Sequence, residues 1–169
     1  TDNVFDRVAT ELTLNFQRSY RPVLEMTSQL SRSSIAEAQD IDTRLAALPM
    51  ICAGLEALPE VAGLQVGYAD GDYFIVRSHT PAELKERFGA PVQSRWIVDH
   101  IDRANRVGPA PETRYYFDEH FAQLSQTSLG QTLYDPRTRP WYAKAKTSKD
   151  SIATEPYVFF FLRTLGITV

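Results

Sequence analysis

Apolar residues at Val4, Val8, Leu12, Phe16, Val23 and Leu30, with Phe5, Leu24 and Met26 beside them, recur roughly every three to four positions. That spacing predicts a long amphipathic helix over residues 4–30 with one stripe to bury. Pro22 removes a backbone donor inside it and is expected to kink the helix or end it near Tyr20, while Val23 and Leu24 carry the period onward. A polar break at Ser31 to Ser34 follows. Residues 35–58, rich in Ala and Leu, then predict a second helix, interrupted or bent at Pro49.

Beyond Pro59 the period shortens from about 3.6 to about 2. Leu64, Val66 and Tyr68 alternate with Gly63, Gln65 and Gly67, Asp70-Gly71 supplies the residues of a tight primed turn, and Tyr73-Phe74-Ile75-Val76 returns, which predicts a hairpin. Thr80-Pro81-Ala82-Glu83 opens a short helix ending near Phe88, with Thr as cap and Pro in the first turn. Residues 92–103 and 114–117 predict a third and a fourth strand, and Asp118-Glu119-His120 turns into a fifth over 121–125. A short helix over 140–146 and two closing strands, 157–162 and 165–169, complete the chain. Links this short do not allow parallel crossovers, so the sheet is expected to be antiparallel and the class α+β. The chain divides into paired helices over 1–58 and a sheet module with small helical inserts over 59–169.

Composition narrows the function. Hydrophobic residues at 43% and charged residues at 23% suit one globular domain with a real core, and a formal net charge of -3 offers no field for nucleic acid. Cys52, the only cysteine, sits in Pro49-Met50-Ile51-Cys52-Ala53 and reads as a small buried hydrophobe. No run of about 18 apolar residues and no charged-then-apolar leader is present, so nothing in the sequence is expected to span a membrane or direct export. Leu165 to Val169 read as strand rather than terminus, so the natural chain is expected to continue on at least one side.

Catalytic patterns fail on spacing. His79, His100 and His120 are too widely separated for a metal motif, no Gly-x-Ser-x-Gly elbow occurs, and the glycines are dispersed rather than clustered as a phosphate cradle. Asp118-Glu119 and Asp99 with Asp102 are the best carboxylate groupings, and both read as solvated turn or strand-end residues. No catalytic residue, metal or cofactor is expected.

One segment stands apart: Tyr134-Asp135-Pro136-Arg137-Thr138-Arg139-Pro140-Trp141-Tyr142. Asp135-Pro136-Arg137-Thr138 suits a type I turn, and Pro140 fits the first turn of a helix. Arg139 carries a planar fork of donors matched to a carboxylate, and Trp141, Tyr142 and Tyr134 offer walls that are apolar in body and polar at the edge. A structural reading competes, in which Trp141 is core, Arg139 pairs with Asp135 or Glu155, and the tyrosines cap the sheet.

The same segment resembles the Asp-Pro-Arg-x-Arg-Pro-Trp-Tyr signature of the Cache superfamily, PAS-like extracytoplasmic sensor domains of chemoreceptors, histidine kinases, diguanylate cyclases and class III adenylate or guanylate cyclases. Glu155-Pro156-Tyr157-Val158-Phe159 and Gly166-Ile167-Thr168-Val169 follow in the family's order. The resemblance implies the membrane-distal module of a double Cache receptor, cut before its last strand and before any second module. It implies a periplasmic domain of an inner-membrane protein, homodimeric through the N-terminal helix, with no catalysis of its own and a cytoplasmic output such as a nucleotide cyclase. It also implies that Tyr134, Arg139, Trp141, Tyr142 and Tyr157 bind a small carboxylate or amino-acid ligand. Arg139 and the Trp141 region would hold the carboxylate, Tyr142 and Tyr157 would shape the pocket, and an Asp for a ligand amine would fall beyond Val169. The alternative is a ligand-free PAS-like structural or dimerisation module of such a receptor.

Overall fold

A computed structural model of the chain describes residues 2–78, 82–154, 157–158, 165–166 and 168. Helix α1 (Asp2–Leu30) runs through Pro22 instead of ending near Tyr20. Its far end leaves Val4 and Val8 66% and 48% exposed, while Met26 and Leu30 pack on the core. The side chains of Leu12 and Phe16 lie outside the described residues.

The single second helix expected over 35–58 is instead three pieces: a 3-10 turn (Ser34–Glu37), α2 (Ile41–Leu45) and α3 (Leu48–Ala57). The Asp40 carboxylate explains the first break, because it accepts a hydrogen bond from the Thr43 amide at 2.8 Å and so starts a helix where one would have continued. Pro49 lies within the first turn of α3, where no intrahelical donor is missed, so it opens that helix and does not bend it.

Five strands follow: β1 (Leu64–Gly67), β2 (Tyr73–Ser78), β3 (Trp96–Ile101), β4 (Ala110–Phe117) and β5 (Gln123–Thr132). They form one antiparallel sheet in the order β1-β2-β3-β4-β5, the α+β arrangement the short links required. The first hairpin does not close in the two-residue primed turn expected: its loop runs over residues 68–72, the Gly71 amide donates to the Tyr68 carbonyl at 3.0 Å, only Gly71 takes a positive φ (+90°), and the Asp70 carboxylate accepts from the Asp72 amide at 3.0 Å. Strand limits differ from the sequence pattern. β3 starts at Trp96 and not at residue 92, because the Ser94 amide closes a turn onto the Pro91 carbonyl at 3.0 Å. β4 begins at Ala110 and β5 continues to Thr132 because each strand pairs with the other along its length, with register shifts at Glu112/Thr113 and Tyr116/Phe117. β5 is almost wholly exposed, so no apolar alternation announces it.

The sheet has two unlike faces. On one, Phe74, Val76, Trp96, Val98 and Phe117 pack with Leu64 and Tyr68 against Ile35 and against Leu48, Ile51, Cys52 and Leu55 of α3. Cys52 is the small hydrophobe expected, and burial pushes its thiol up to about 12. Side chains alternate along strands, so Tyr73, Ile75 and Arg77 of β2, Ile97, Asp99 and Ile101 of β3, and Ala110, Glu112, Arg114 and Tyr116 of β4 share the other face. There Phe88, the last residue of α4 (Ala82–Phe88), packs on Ile97 and Tyr116. His79, Thr80 and Pro81 lie outside the described residues, as do most of the two closing strands. The described parts, β6 (Tyr157–Val158) and β7 (Leu165–Gly166), pair with each other as a separate two-stranded sheet.

Candidate functional site

Strand β5 delivers Tyr134, and the chain then turns sharply. Asp135 accepts from the Arg137 amide at 3.0 Å, the Thr138 amide reaches the Asp135 carbonyl at 3.1 Å, and Pro136–Thr138 forms a 3-10 turn before Pro140 opens α5 (Pro140–Thr147). These are the turn and helix the two prolines predict.

What holds that turn against the sheet is Arg103, a residue the sequence pattern did not single out. Only 2% exposed, it donates through Nη2 to the Tyr134 carbonyl at 2.7 Å and through Nη1 to the Gly108 carbonyl, and its Nε lies 3.7 Å from Asp135 Oδ2. Asp72 fixes Arg103 in turn: its Oδ1 accepts from the Arg103 and Ala104 amides at 2.7 and 2.9 Å, and its Oδ2 from Arg44 Nη1 at 2.8 Å. Burial works against the Asp72 carboxylate, but His100, the two amides and Arg44 hold it well below the usual carboxylate range. Arg44 Nη1 also stands 2.7 Å from His100 Nε2. Helix α2, the β1–β2 hairpin and the segment at 134–142 are thereby tied into one chain of contacts.

Gly67 and Gly71 let the segment lie flat on the hairpin. A Cβ on Gly67 would stand 2.8 Å from Trp141 Cη2, 2.9 Å from Pro136 Cβ and 3.1 Å from Tyr142 Cδ2, and one on Gly71 would stand 2.5 Å from Arg103 Cδ. Gly67→Val is therefore expected to lift Trp141 and Tyr142 from β1 at a cost of about 1–3 kcal/mol. A urea melt with an unchanged midpoint would show that the close approach is not needed.

Of the residues predicted for the site, Tyr134, Arg139, Trp141 and Tyr142 come together. The buried Tyr134 ring lies 4.8 Å from that of Tyr73 at 52°, and the Arg139 guanidinium carbon lies 5.6 Å from the Tyr134 ring centre. Trp141 is half-buried against the cluster of Tyr73, Ile75, Ile101, Ala110 and Tyr134, with Tyr142 5.8 Å away, edge to face. Tyr157 is in β6, but its side chain lies outside the described residues, as does Glu155. The competing structural reading paired Arg139 with Asp135 or Glu155; Asp135 is engaged by Arg137, whose Nε and Nη2 reach it at 2.9 and 2.7 Å, and by Arg103, while Glu155 lies outside the described residues.

A second group of charges occupies the same face of the sheet. The expectation that Asp99 is a solvated strand-end residue is wrong, because it is 0% exposed while Asp102 is exposed. Asp99 accepts from Arg77 Nη1 at 2.5 Å, Arg114 Nε at 2.6 Å and Arg114 Nη2 at 2.9 Å. Burial disfavours its charge, and the two guanidiniums outweigh that and hold it below the ordinary carboxylate value. The Phe88 ring lies 5.6 Å from Arg77 and 4.6 Å from Arg114. Beside this trio Glu112 is 6% exposed, and its buried Oε1 receives no hydrogen bond among the described residues. Burial, with the charge of Asp99 added, pushes the Glu112 carboxyl up to about 7. Asp118, by contrast, sits in the predicted turn, where it accepts from the His120 and Ala122 amides. Among the described residues no group of three or more His, Cys, Asp or Glu could hold a metal ion.

No family model matches the chain, and no solved structure matches it significantly. A stretch of 116 residues, 69% of the chain, is 29% identical to part of Adenylate cyclase 1 of Rhizobium meliloti (strain 1021). That stretch corresponds to 17% of the cyclase's own length. The chain is thus distantly similar to one portion of a signalling protein.

Proposed function

We propose that the chain is a Cache-type, PAS-like ligand-sensing domain of a bacterial transmembrane receptor, binding a small carboxylate or amino acid at Tyr134, Arg139, Trp141 and Tyr142, with Tyr157 completing the site. The observation that carries this reading is the seating of 134–142 on the hairpin: Arg103 and Gly67 bring Arg139, two tyrosine rings and a half-buried indole to one edge of the sheet. Ligand sites combine apolar and aromatic walls with a few placed polar groups, and this segment supplies both. Distant similarity to an adenylate cyclase supports a signalling context, with a nucleotide cyclase as the cytoplasmic output.

In this reading the domain is extracytoplasmic, and the membrane anchor and output lie outside residues 1–169; among the described residues no helix is long and apolar enough to cross a membrane. Val4 and Val8 of α1, one turn apart and 66% and 48% exposed, offer an apolar contact for a second copy. Ligand binding would then shift that helix pair.

A thermal-shift screen of carboxylates and amino acids tests the reading, since a ligand present at 100 times its Kd stabilises the fold by about 2.7 kcal/mol. Arg139→Lys keeps the charge but loses the planar fork, and it is expected to weaken the best ligand roughly tenfold. Equal affinity would remove Arg139 as the clamp. Absence of any stabilising ligand would favour the ligand-free dimerisation module.

A further inference from the structure

The face of the sheet that carries Phe88 holds more charge than its hydrogen bonds use. Strand register places Tyr73, Ile101, Glu112 and Gly130 in one cross-strand row and Ile75, Asp99, Arg114 and Thr127 in the next row on that face, with Arg77 in the row after. The titratable groups that face Glu112 are therefore Tyr73 and Arg77 from β2, Asp99 from β3 and Arg114 from its own strand. Strand β5 brings none, and Tyr134 approaches only through the cluster it forms with Ile101 and Ala110. The Tyr73 hydroxyl donates to Gln65 at 2.7 Å, and α4 contributes the Phe88 ring beside the two arginines.

Two guanidiniums and two carboxyl groups thus share a buried space, yet all the donors go to one carboxylate. Arg77 Nη1 and Arg114 Nε and Nη2 reach Asp99, while Glu112 Oε1 receives no hydrogen bond among the described residues. With Glu112 protonated, the four groups carry one net positive charge. With Glu112 ionised, the charges balance, but a buried carboxylate oxygen is left without a donor unless an arginine turns to it. Arg114 is the one placed to turn. It stands two residues along β4 from Glu112, so both side chains rise from one face about 7 Å apart at the backbone. It also holds Asp99 through two nitrogens, so on leaving it still leaves Arg77 in place. Burial and the Asp99 charge oppose ionisation of Glu112 while Arg114 and Arg77 favour it, a balance set at about 7.

We infer that this face is a proton-operated switch: when Glu112 gives its proton to solvent, Arg114 passes from Asp99 to Glu112, and the move loosens α4. It stands independently of the ligand site proposed at 134–142. Below the transition Asp99 holds both arginines and Glu112 is neutral; above it each carboxylate holds one arginine. Both arrangements give every charge a partner, as a two-state element requires, and the proton is the ligand that selects between them. The exchange divides a tightly held trio, so the ionised arrangement is still the less stable. The link to α4 is direct. The Arg114 guanidinium lies 4.6 Å from the Phe88 ring, against 5.6 Å for Arg77, and the Phe88 carbonyl accepts from the hydroxyl of Tyr116, the next residue of β4 on that face, at 2.7 Å. Withdrawing Arg114 removes the nearer of the two cations that support the end of the helix.

The test is an NMR titration of the 169-residue chain and of its Glu112→Gln variant, which keeps the neutral shape of the protonated state. In the wild type the carbon-13 signal of the Glu112 carboxyl and the nitrogen-15 signal of Arg114 Nε are expected to move together with one midpoint near 7. The amides of residues 82–88 should exchange about tenfold faster above that midpoint than below it, after correction for the intrinsic rate. In the variant the Arg114 signal and the corrected exchange should stay flat with pH. His100 and His120 are unchanged there, so any response that belongs to them persists in the variant and is not counted. A Glu112 carboxyl that titrates while Arg114 Nε stays still overturns the switch, because the carboxylate has then found water instead of the arginine. A carboxyl that ionises with the ordinary value of an exposed Glu overturns it as well. Both of these outcomes are read in the wild type alone, so the test stands even if the variant folds poorly.

Discussion

Asp99→Ala is expected to cost about 3–5 kcal/mol of folding stability, because it leaves two guanidiniums in the interior with their shared counter-charge removed. The Asp99 side chain is 0% exposed, and those of Arg77 and Arg114 are 4% and 11% exposed. Neither cation can shed its proton, and neither can reach water without dismantling the packing of Phe88 on the sheet. Asp99→Asn should be almost as damaging, since it keeps the shape and loses the charge. Replacing all three residues by apolar ones of similar volume should recover much of the loss, because such triads stabilise mainly against their own partial removal. Urea melts of the single variants and of the triple variant decide the matter. A cost below about 1 kcal/mol for Asp99→Ala would mean that the trio is hydrated and contributes as surface ion pairs do.

The second large effect has the opposite sign. Glu112 has an ordinary value of 4.5 and is pushed up to about 7 in the fold, so the folded protein holds a proton that the unfolded chain gives up. Its stabilising share is fully present below about pH 4.5 and is lost as pH rises through about 7, leaving the fold about 3 kcal/mol less stable at pH 8. Asp72, Asp99 and Asp135 act in the other direction. Their values are lowered in the fold, so the stability they add is present above their ordinary value of 3.8 and is lost as pH falls below it. Stability without ligand should therefore peak near pH 4–5. Glu112→Gln should remove the alkaline decline, gaining about 3 kcal/mol over the wild type at pH 8 and almost nothing at pH 4. Chemical melts of both proteins across that range measure it. Parallel pH profiles would show that a counter-charge already serves Glu112 in the empty protein.

Local chemistry makes several elements legible in the sequence. Asp70-Gly71 specifies its turn because glycine alone enters positive φ without strain, and Pro136 and Pro140 specify the 3-10 turn and the helix start because each fixes φ. The alternation of Leu64, Val66 and Tyr68 places the hairpin, and the short links make the sheet antiparallel. The rings and the cation of 134–142 are readable as a candidate site because they adjoin one another in the chain. In all of these cases the decisive interactions span only a few residues.

Where the sequence pattern misleads, the partners are far apart along the chain. Asp99 looks solvated because its own neighbours do not reveal it; only the register of β2, β3 and β4 brings Arg77, 22 residues before it, and Arg114, 15 residues after it, to its two oxygens. Arg103 is one of many arginines in the sequence, and its hold on the Tyr134 carbonyl, 31 residues away, exists only once Asp72 has fixed its backbone. The length of β5 likewise depends on β4, because an exposed polar strand carries no hydrophobic period and is defined by the partner that pairs with it. Sequence therefore determined the class, the turns and the composition of the candidate site. The tertiary structure alone decided which charges are buried, because burial and pairing belong to contacts between strands and not to any segment of the chain.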